Sequence, residues 1–252
     1  MNESLAPHAG EFTDDRMLGG RLVLRQPAKG YRAGLDAALL AAACDADPGA
    51  RVIEPGCGVG AALLAAAARR PGASFVGVER DSAAAALARH NAAANGLAGR
   101  IEVLEADIAG AGLPGPRFDA ALCNPPYFDD PRALRGPHPA RRGAYIADAG
   151  LASWTQYLTK AVRDGGAITL IHRVDRLADV LALLGAKAGS FQVRPIQPFE
   201  DEPAGRVIVR AVRGGRAPLR LLPALVLHER GGAKHTAPAE AILRGEAELA
   251  WL

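Results

Sequence analysis

The residues best suited to chemistry are Asn124-Pro125-Pro126-Tyr127. The Asn124 side-chain oxygen and the Pro125 carbonyl can each accept one hydrogen from a single –NH2 group. Two consecutive prolines lack N–H groups, fix φ and hold the residue before each extended, so the loop is stiff and its acceptors keep one direction. The Tyr127 ring follows directly and suits stacking on the face of a flat guest. Such a clamp draws a planar amine toward tetrahedral geometry and frees its lone pair to attack an electrophile. This is catalysis by proximity and orientation, with no strong general base required. The bland alternative is a rigid diproline turn capped by a core tyrosine.

A second chemical signal lies upstream, in Glu54-Pro55-Gly56-Cys57-Gly58-Val59-Gly60. Glycines between a strand and a helix let a ligand approach the backbone, and the helix start offers free N–H groups. Glu79, at the end of the next strand, is placed to hold a ribose diol. By itself this pattern is ambiguous, because Gly56-x-Gly58-x-x-Ala61 with an acid about 20 residues on also fits the dinucleotide fingerprint. Three features favour S-adenosylmethionine over NAD. Glu54 opens the loop where a methionine ammonium would sit, Asp107 follows the third strand where it can accept from an adenine amine, and the Asn124 corner ends the fourth strand beside the reacting methyl. In an open α/β sheet all these loops share one carboxyl edge. A dehydrogenase explains none of the three.

The elements that must position these loops are legible as alternating runs. Arg51–Glu54, Ser74–Glu79, Ile101–Leu104 and Phe118–Cys123 read as strands, with helices over 61–70 and from Asp81 to Asn95-Gly96 between them. Further on, a helix is expected over 151–163, a strand over 167–171, a helix over 176–184 and strands near 190–197 and 206–213. The predicted fold is α/β, a doubly wound, mostly parallel sheet of seven strands of the Rossmann-like kind, with an N-terminal hairpin and helix extension. Residues 1–20 read as a loose polar arm, 21–27 as a short strand or hairpin arm, and 35–44 as a helix. In the tail, 219–227 reads as one more strand and 238–248 as a short helix. The expected organisation is an arm, hairpin and helix over 1–48, a catalytic domain over 49–215, and an extension over 216–252 packed on it.

The 252 residues carry 30 Lys and Arg against 27 Asp and Glu, a net charge of +3, which permits a nucleic-acid partner without demanding one. Cys44, Cys57 and Cys123 stand alone, without a C-x-x-C pair or a histidine at ligand spacing, so neither a metal site nor a disulfide framework is expected. No apolar leader opens the chain and no apolar run reaches about 18 residues, which leads to the expectation of a cytoplasmic protein with no membrane partner.

Glu54–Gly60, Glu79, Asp107 and Asn124–Tyr127 together resemble the class I methyltransferases that modify exocyclic or amide nitrogens. More narrowly, Leu22-Val-Leu-Arg-Gln-Pro27 with Tyr31-Arg-Ala-Gly-Leu-Asp36 resembles the bacterial valine-tRNA (adenine-37) N6-methyltransferase family, over roughly residues 20–215. Leu35 stands where that family usually carries Thr. The resemblance implies S-adenosylmethionine as cofactor, RNA and specifically tRNA as partner, and N6-methylation of an adenine near the anticodon as the activity. It assigns Arg32, Gly34 and Asp36 to closing the cofactor pocket, with Glu54, Gly56, Gly58, Gly60, Glu79, Arg80, Asp107, Ile108 and Asn124 as cofactor contacts. Asn124, Pro125, Pro126 and Tyr127 form the catalytic corner.

Arg132, Arg135, Arg141 and Arg142, in a long connection that also carries His138, Asp129 and Asp130, are candidate RNA phosphate contacts. A second basic stretch, Arg206 to Arg220, adds little, since arginines on a strand are often an edge device. The alternatives are a glutamine-amide protein methyltransferase, against which the shortness of segment 1–48 counts, and a small-molecule O- or N-methyltransferase. From another class come an NAD-binding oxidoreductase and a non-catalytic nucleotide-binding module.

Overall fold

The computed structural model describes residues 12–29, 32–110, 117–126 and 150–252. Strands β3 (Arg51–Pro55), β4 (Ser74–Glu79), β5 (Ile101–Glu105) and β6 (Phe118–Cys123) alternate with helices α2 (Ala61–Arg69) and α3 (Ser82–Ala94). Then come α4 (Leu151–Ala161), β7 (Val162–Arg173), α5 (Leu177–Gly185), β8 (Ala188–Gln197) and β9 (Arg206–Arg213). These seven strands lie in the order β5-β4-β3-β6-β7-β9-β8. Neighbours run parallel except at β9, which is antiparallel to both β7 and β8. This is the doubly wound, mostly parallel arrangement that the sequence predicts.

Central strands read as continuous apolar runs because helices cover both faces. Val52, Phe75, Ala120 and Leu122 pack with α2, α3 and α1 (Leu35–Ala42), whereas Ile53, Val76, Ala121 and Cys123 pack with α4 and α5. Successive residues of one strand therefore enter opposite cores. The Ala-rich helices pack closely on the sheet, and α3 starts on Asp81, whose carboxylate accepts from the Ala84 N–H at 2.8 Å.

Four sequence expectations are corrected. The arm over 1–20 is not loose where it is described: Phe12–Met17 forms β1, antiparallel to β2 (Leu22–Pro27), because every second residue of β2 is buried and β1 completes the hairpin. Among the described residues the seven-stranded sheet is extended to nine, since two tail segments add to the edge of β8. The single strand expected over 219–227 is two short pieces, β10 (Arg220–Leu221) and β11 (Leu225–Val226), each parallel to β8. Pro223 lies between them, and proline cannot donate to a ladder. Helix α4 ends at Ala161, with Val162 and Arg163 already in β7.

The tail helix α6 (Ala237–Arg244) starts on Thr236 and stops at Gly245, short of the expected 248, in a left-handed cap. Arg21 donates to the Arg244 and Gly245 carbonyls at 3.0 Å each, and Trp251 Nε1 donates to the Ala43 carbonyl at 2.8 Å. The tail is thus bound to the hairpin and α1. Among the described residues no helix is long and apolar enough to cross a membrane, and no group of three or more His, Cys, Asp or Glu gathers as a metal site.

Candidate active site at the carboxyl edge of the sheet

The turn leaving β3 folds as its glycines dictate. Gly56, Gly58 and Gly60 have φ of 65°, 56° and 87°, left-handed values that side chains rarely adopt. The Gly56 N–H donates to the Val78 carbonyl at 2.7 Å, so the turn lies against the end of β4. Gly58 N–H donates to one oxygen of Glu79 at 2.9 Å, and Asp81 N–H donates to the other at 2.9 Å. Each Glu79 oxygen keeps a lone pair beyond these bonds, and its carboxylate is fixed beside the turn.

Glu54 is 3% exposed. Its carboxyl accepts from the Leu63 N–H at the start of α2, while Oε2 has no partner among the described residues. Burial pushes the Glu54 carboxyl well above its ordinary value, the Leu63 N–H opposes this, and nearby Glu79 adds to it. A buried, unsatisfied acceptor next to three left-handed glycines is a place made for a cation that arrives with a ligand. The residues present therefore fit the ammonium of a methionine-like group. Cys57 and Cys123 are buried, and burial raises both thiols well above the ordinary range, which disfavours the thiolate.

An open cleft of about 500 Å3 at the ends of β4 and β5 is lined by Arg80, Asp81, Glu105, Ala106 and Asp107. Asp107 accepts from the Ala109 N–H at 2.8 Å and stands 4.0 Å from the Arg80 guanidinium. Ile108 packs against the core beneath α4 and α5. The sheet register brings the two sequence signals together. Val52 pairs with Ala120 and Ile53 with Ala121, so β3 and β6 are parallel neighbours, and the turn after Pro55 and the corner after Cys123 leave them at the same sheet edge. Asn124 and Pro126 are half-buried and Pro125 is buried. Tyr127 and the arginines at 132, 135, 141 and 142 lie outside the described residues.

Arg32 and Asp36 make contacts the sequence did not foretell. Arg32 pairs with Asp15 and donates to Thr13 Oγ1 at 2.8 Å, which ties the chain after β2 to the hairpin. Asp36 takes Arg206 Nε at 2.6 Å, Arg210 pairs with Asp45 at 2.7 Å, and Arg213 with Asp164 at 3.0 Å. The second basic stretch is thus largely neutralised within the fold. Gly34 has φ −155° and ψ −130°, neither extended nor helical, and has open space where a side chain would stand.

Two contributors escaped the sequence reading. Trp154, in the first turn of α4, presses its ring on Gly56: a methyl group there would lie 2.6 Å from Cη2 and 2.9 Å from Cζ3. Only its place just after the Asn124 corner's connection could have flagged it. Asn91, in α3, donates to the Val59 carbonyl inside the turn at 2.9 Å. An asparagine inside a helix is a visible anomaly, but the group it serves is not.

The methyltransferase small domain model matches residues 32–135, the span containing both the glycine turn and the Asn124 corner. A crystal structure described as a predicted O-methyltransferase, protein Atu636 from Agrobacterium tumefaciens, superposes with a TM-score of 0.72 at 31% identity, covering 86% of this chain and 99% of that one. The chain belongs to the same methyltransferase family as that protein. Its methyl donor is S-adenosylmethionine.

Among curated relatives, the tRNA1(Val) (adenine(37)-N6)-methyltransferase of Vibrio cholerae is 30% identical over 160 residues, 62% of this chain and 65% of that protein. The release factor glutamine methyltransferase of Chlorobaculum tepidum is 29% identical over 165 residues, 62% of this chain and 56% of that protein. The chain thus spans less than two thirds of the length of either curated relative.

Proposed function

We propose that this protein methylates the exocyclic N6 of an adenine in RNA, with a tRNA as substrate. What supports the reading is that the Asn124 corner and the glycine turn leave adjacent parallel strands at one sheet edge, where Glu54 Oε2 has no partner among the described residues. In this reading Glu54 receives the donor's ammonium, Glu79 its ribose diol, and Asp107 with Arg80 and Ile108 its adenine. Arg32, Gly34 and Asp36 close the same pocket from the segment after the hairpin. Residues 49–215 form the catalytic domain, with 1–48 and 216–252 as extensions of it.

S-adenosylmethionine, when bound, supplies an electrophilic methyl group. Asn124 and the Pro125 carbonyl accept the two hydrogens of the target amine, which turns its lone pair toward that methyl. Tyr127 stacks on the base and fixes its plane. The base must first leave its stack, at a cost that is lower in a loop than in a duplex. The methylated nitrogen then gives its surplus proton to water. Arg132, Arg135, Arg141 and Arg142 hold phosphates around the inserted base. RNA is favoured over other acceptors by this arginine-rich connection and by the likeness to the Vibrio cholerae protein.

A second reading is a glutamine side-chain amide in a release factor, which the same two acceptors would also hold and which the Chlorobaculum tepidum relative supports. Nucleoside mass spectrometry of RNA from cells with and without the gene tests both. N6-methyladenosine lost on deletion and restored by the wild-type gene supports RNA, whereas unchanged nucleosides with loss of a methylated glutamine peptide support the protein acceptor. Asn124→Ala is expected to abolish transfer while leaving S-adenosylhomocysteine affinity within about fivefold, since one amide contact is worth roughly 1 kcal/mol in the ground state but orientation acts at the barrier. Turnover unchanged in Asn124→Ala refutes the amine clamp.

A further inference from the structure

Helix α3 is rich in alanine, and two asparagines four apart close it: Asn91 in its last turn and Asn95 at its C-cap. Asparagine is a poor helix former because its amide competes for backbone groups. Here both amides find such groups on another element. Asn95 accepts from the Val23 N–H at 2.9 Å and donates to the Val23 carbonyl at 2.7 Å. Asn91 accepts from the Arg25 N–H and donates to the Arg25 carbonyl, both at 2.9 Å. Four residues of helix rise about 6 Å and two residues of strand about 6.7 Å, so the two ladders match. The outer edge of β2 is thereby closed by side chains in place of a third strand.

Asn91 differs from Asn95 in one respect. It is 1% exposed, and its other amide hydrogen goes to the Val59 carbonyl at 2.9 Å, between the left-handed Gly58 and Gly60. One buried amide therefore joins the hairpin to the glycine turn. Past Arg25, the Gln26 side chain accepts from the Ala33 N–H at 2.9 Å and donates to Asp15, which pairs with Arg32. A continuous chain of bonds runs from the turn to the segment before α1.

We infer that Asn91 is a positioning residue for the methyl donor. It holds the Val59 carbonyl and with it the shape of the turn, and it makes the β1–β2 hairpin part of the donor-site wall. The inference rests on the glycine turn being the donor site. Donor binding then tightens the hairpin, and loosening the hairpin through Asn91 weakens the donor.

The test uses the full chain, S-adenosylhomocysteine calorimetry and amide hydrogen exchange. Asn91→Asp keeps the acceptor for Arg25 N–H but loses both donors. It is expected to weaken S-adenosylhomocysteine about tenfold, or about 1.4 kcal/mol, and to speed exchange in both the hairpin and residues 56–60. Asn95→Ala removes the sister pair of bonds and the Asn95 amide's bond to the Asn91 carbonyl at 2.8 Å, but no bond to the turn, so it speeds exchange in the hairpin and leaves affinity within about twofold. Asn91→Ala adds no charge, carries the same expectation as Asn91→Asp, and replaces it should that variant fail to fold. Bound S-adenosylhomocysteine slows exchange at Arg25 and Ala33 in the wild type.

Wild-type affinity in both Asn91 variants overturns the inference, as does an equal loss in Asn95→Ala, which would mean that hairpin docking alone matters. If S-adenosylhomocysteine binds but leaves exchange at residues 56–60 unchanged in the wild type, the donor-site reading itself falls, and the inference falls with it.

Discussion

Gly56→Ala probes the point where the glycine turn meets helix α4. The backbone there has φ 65°, which costs a residue with a side chain roughly 1–2 kcal/mol. The added methyl would also stand 2.6 Å and 2.9 Å from two ring atoms of Trp154, closer than carbon atoms tolerate, and overpacking of this kind costs about 1–3 kcal/mol. The two effects are separable, so the sum, about 2–5 kcal/mol, is a large part of a typical domain stability of about 5–15 kcal/mol. Replacing the indole removes only the second. Gly56→Ala made in a Trp154→Ala background is expected to cost about 1–2 kcal/mol, a coupling of about 1–3 kcal/mol with the double variant more stable than additivity predicts. Urea unfolding followed by far-ultraviolet circular dichroism reads all four proteins without relying on the deleted tryptophan. Equal costs in the two backgrounds would refute the claim that Trp154 shapes the turn, and a cost near zero in the wild type would refute the left-handed conformation as well.

Three further outcomes are expected. The raised Glu54 carboxyl holds a proton more tightly folded than unfolded, so the stability it contributes is complete below about pH 4.5 and is lost as pH rises through the folded value. Glu54→Gln should flatten that slope and hold or raise the melting temperature at neutral pH, while weakening S-adenosylhomocysteine roughly 10–100-fold through loss of a charged partner. Melting curves across pH with and without S-adenosylhomocysteine check both halves. Asp119 has the opposite sign: the Arg163 guanidinium at 2.7 Å and then the Arg51 N–H at 2.8 Å hold its carboxyl below 3.8. Its contribution is present above that value and lost as pH falls through the folded one, so acid unfolding of Asp119→Asn should lack this limb in a titration followed by circular dichroism. Neutralising Arg141 and Arg142 should weaken RNA binding and lower its salt slope by roughly 0.7–0.9 for each phosphate no longer neutralised, measured by anisotropy across a salt series.

Much of this protein is written locally in its sequence. Apolar runs such as Phe118–Cys123 specify buried strands, Gly56, Gly58 and Gly60 specify a left-handed turn, and Asn124-Pro125-Pro126 specifies a stiff corner, because each follows from covalent constraint or from burial of neighbours in the chain. Strand alternation with helices is enough to place both loops on one edge. What sequence could not decide are pairings between residues far apart along the chain. Phe12–Met17, with Thr13, Asp14 and Asp15, reads as polar coil and becomes a strand only because β2 and the Asn91–Asn95 ladder give its partner a place to dock. Arg206, Arg210 and Arg213 read as a basic stripe until Asp36, Asp45 and Asp164 arrive from elsewhere and neutralise them. Trp154 over Gly56, and the single amide by which Asn91 joins hairpin to turn, exist only once α3 and α4 pack on opposite faces of the sheet. A side chain's chemistry is fixed by its own residue, but its partner is fixed by the packing that brings distant segments within a few ångströms.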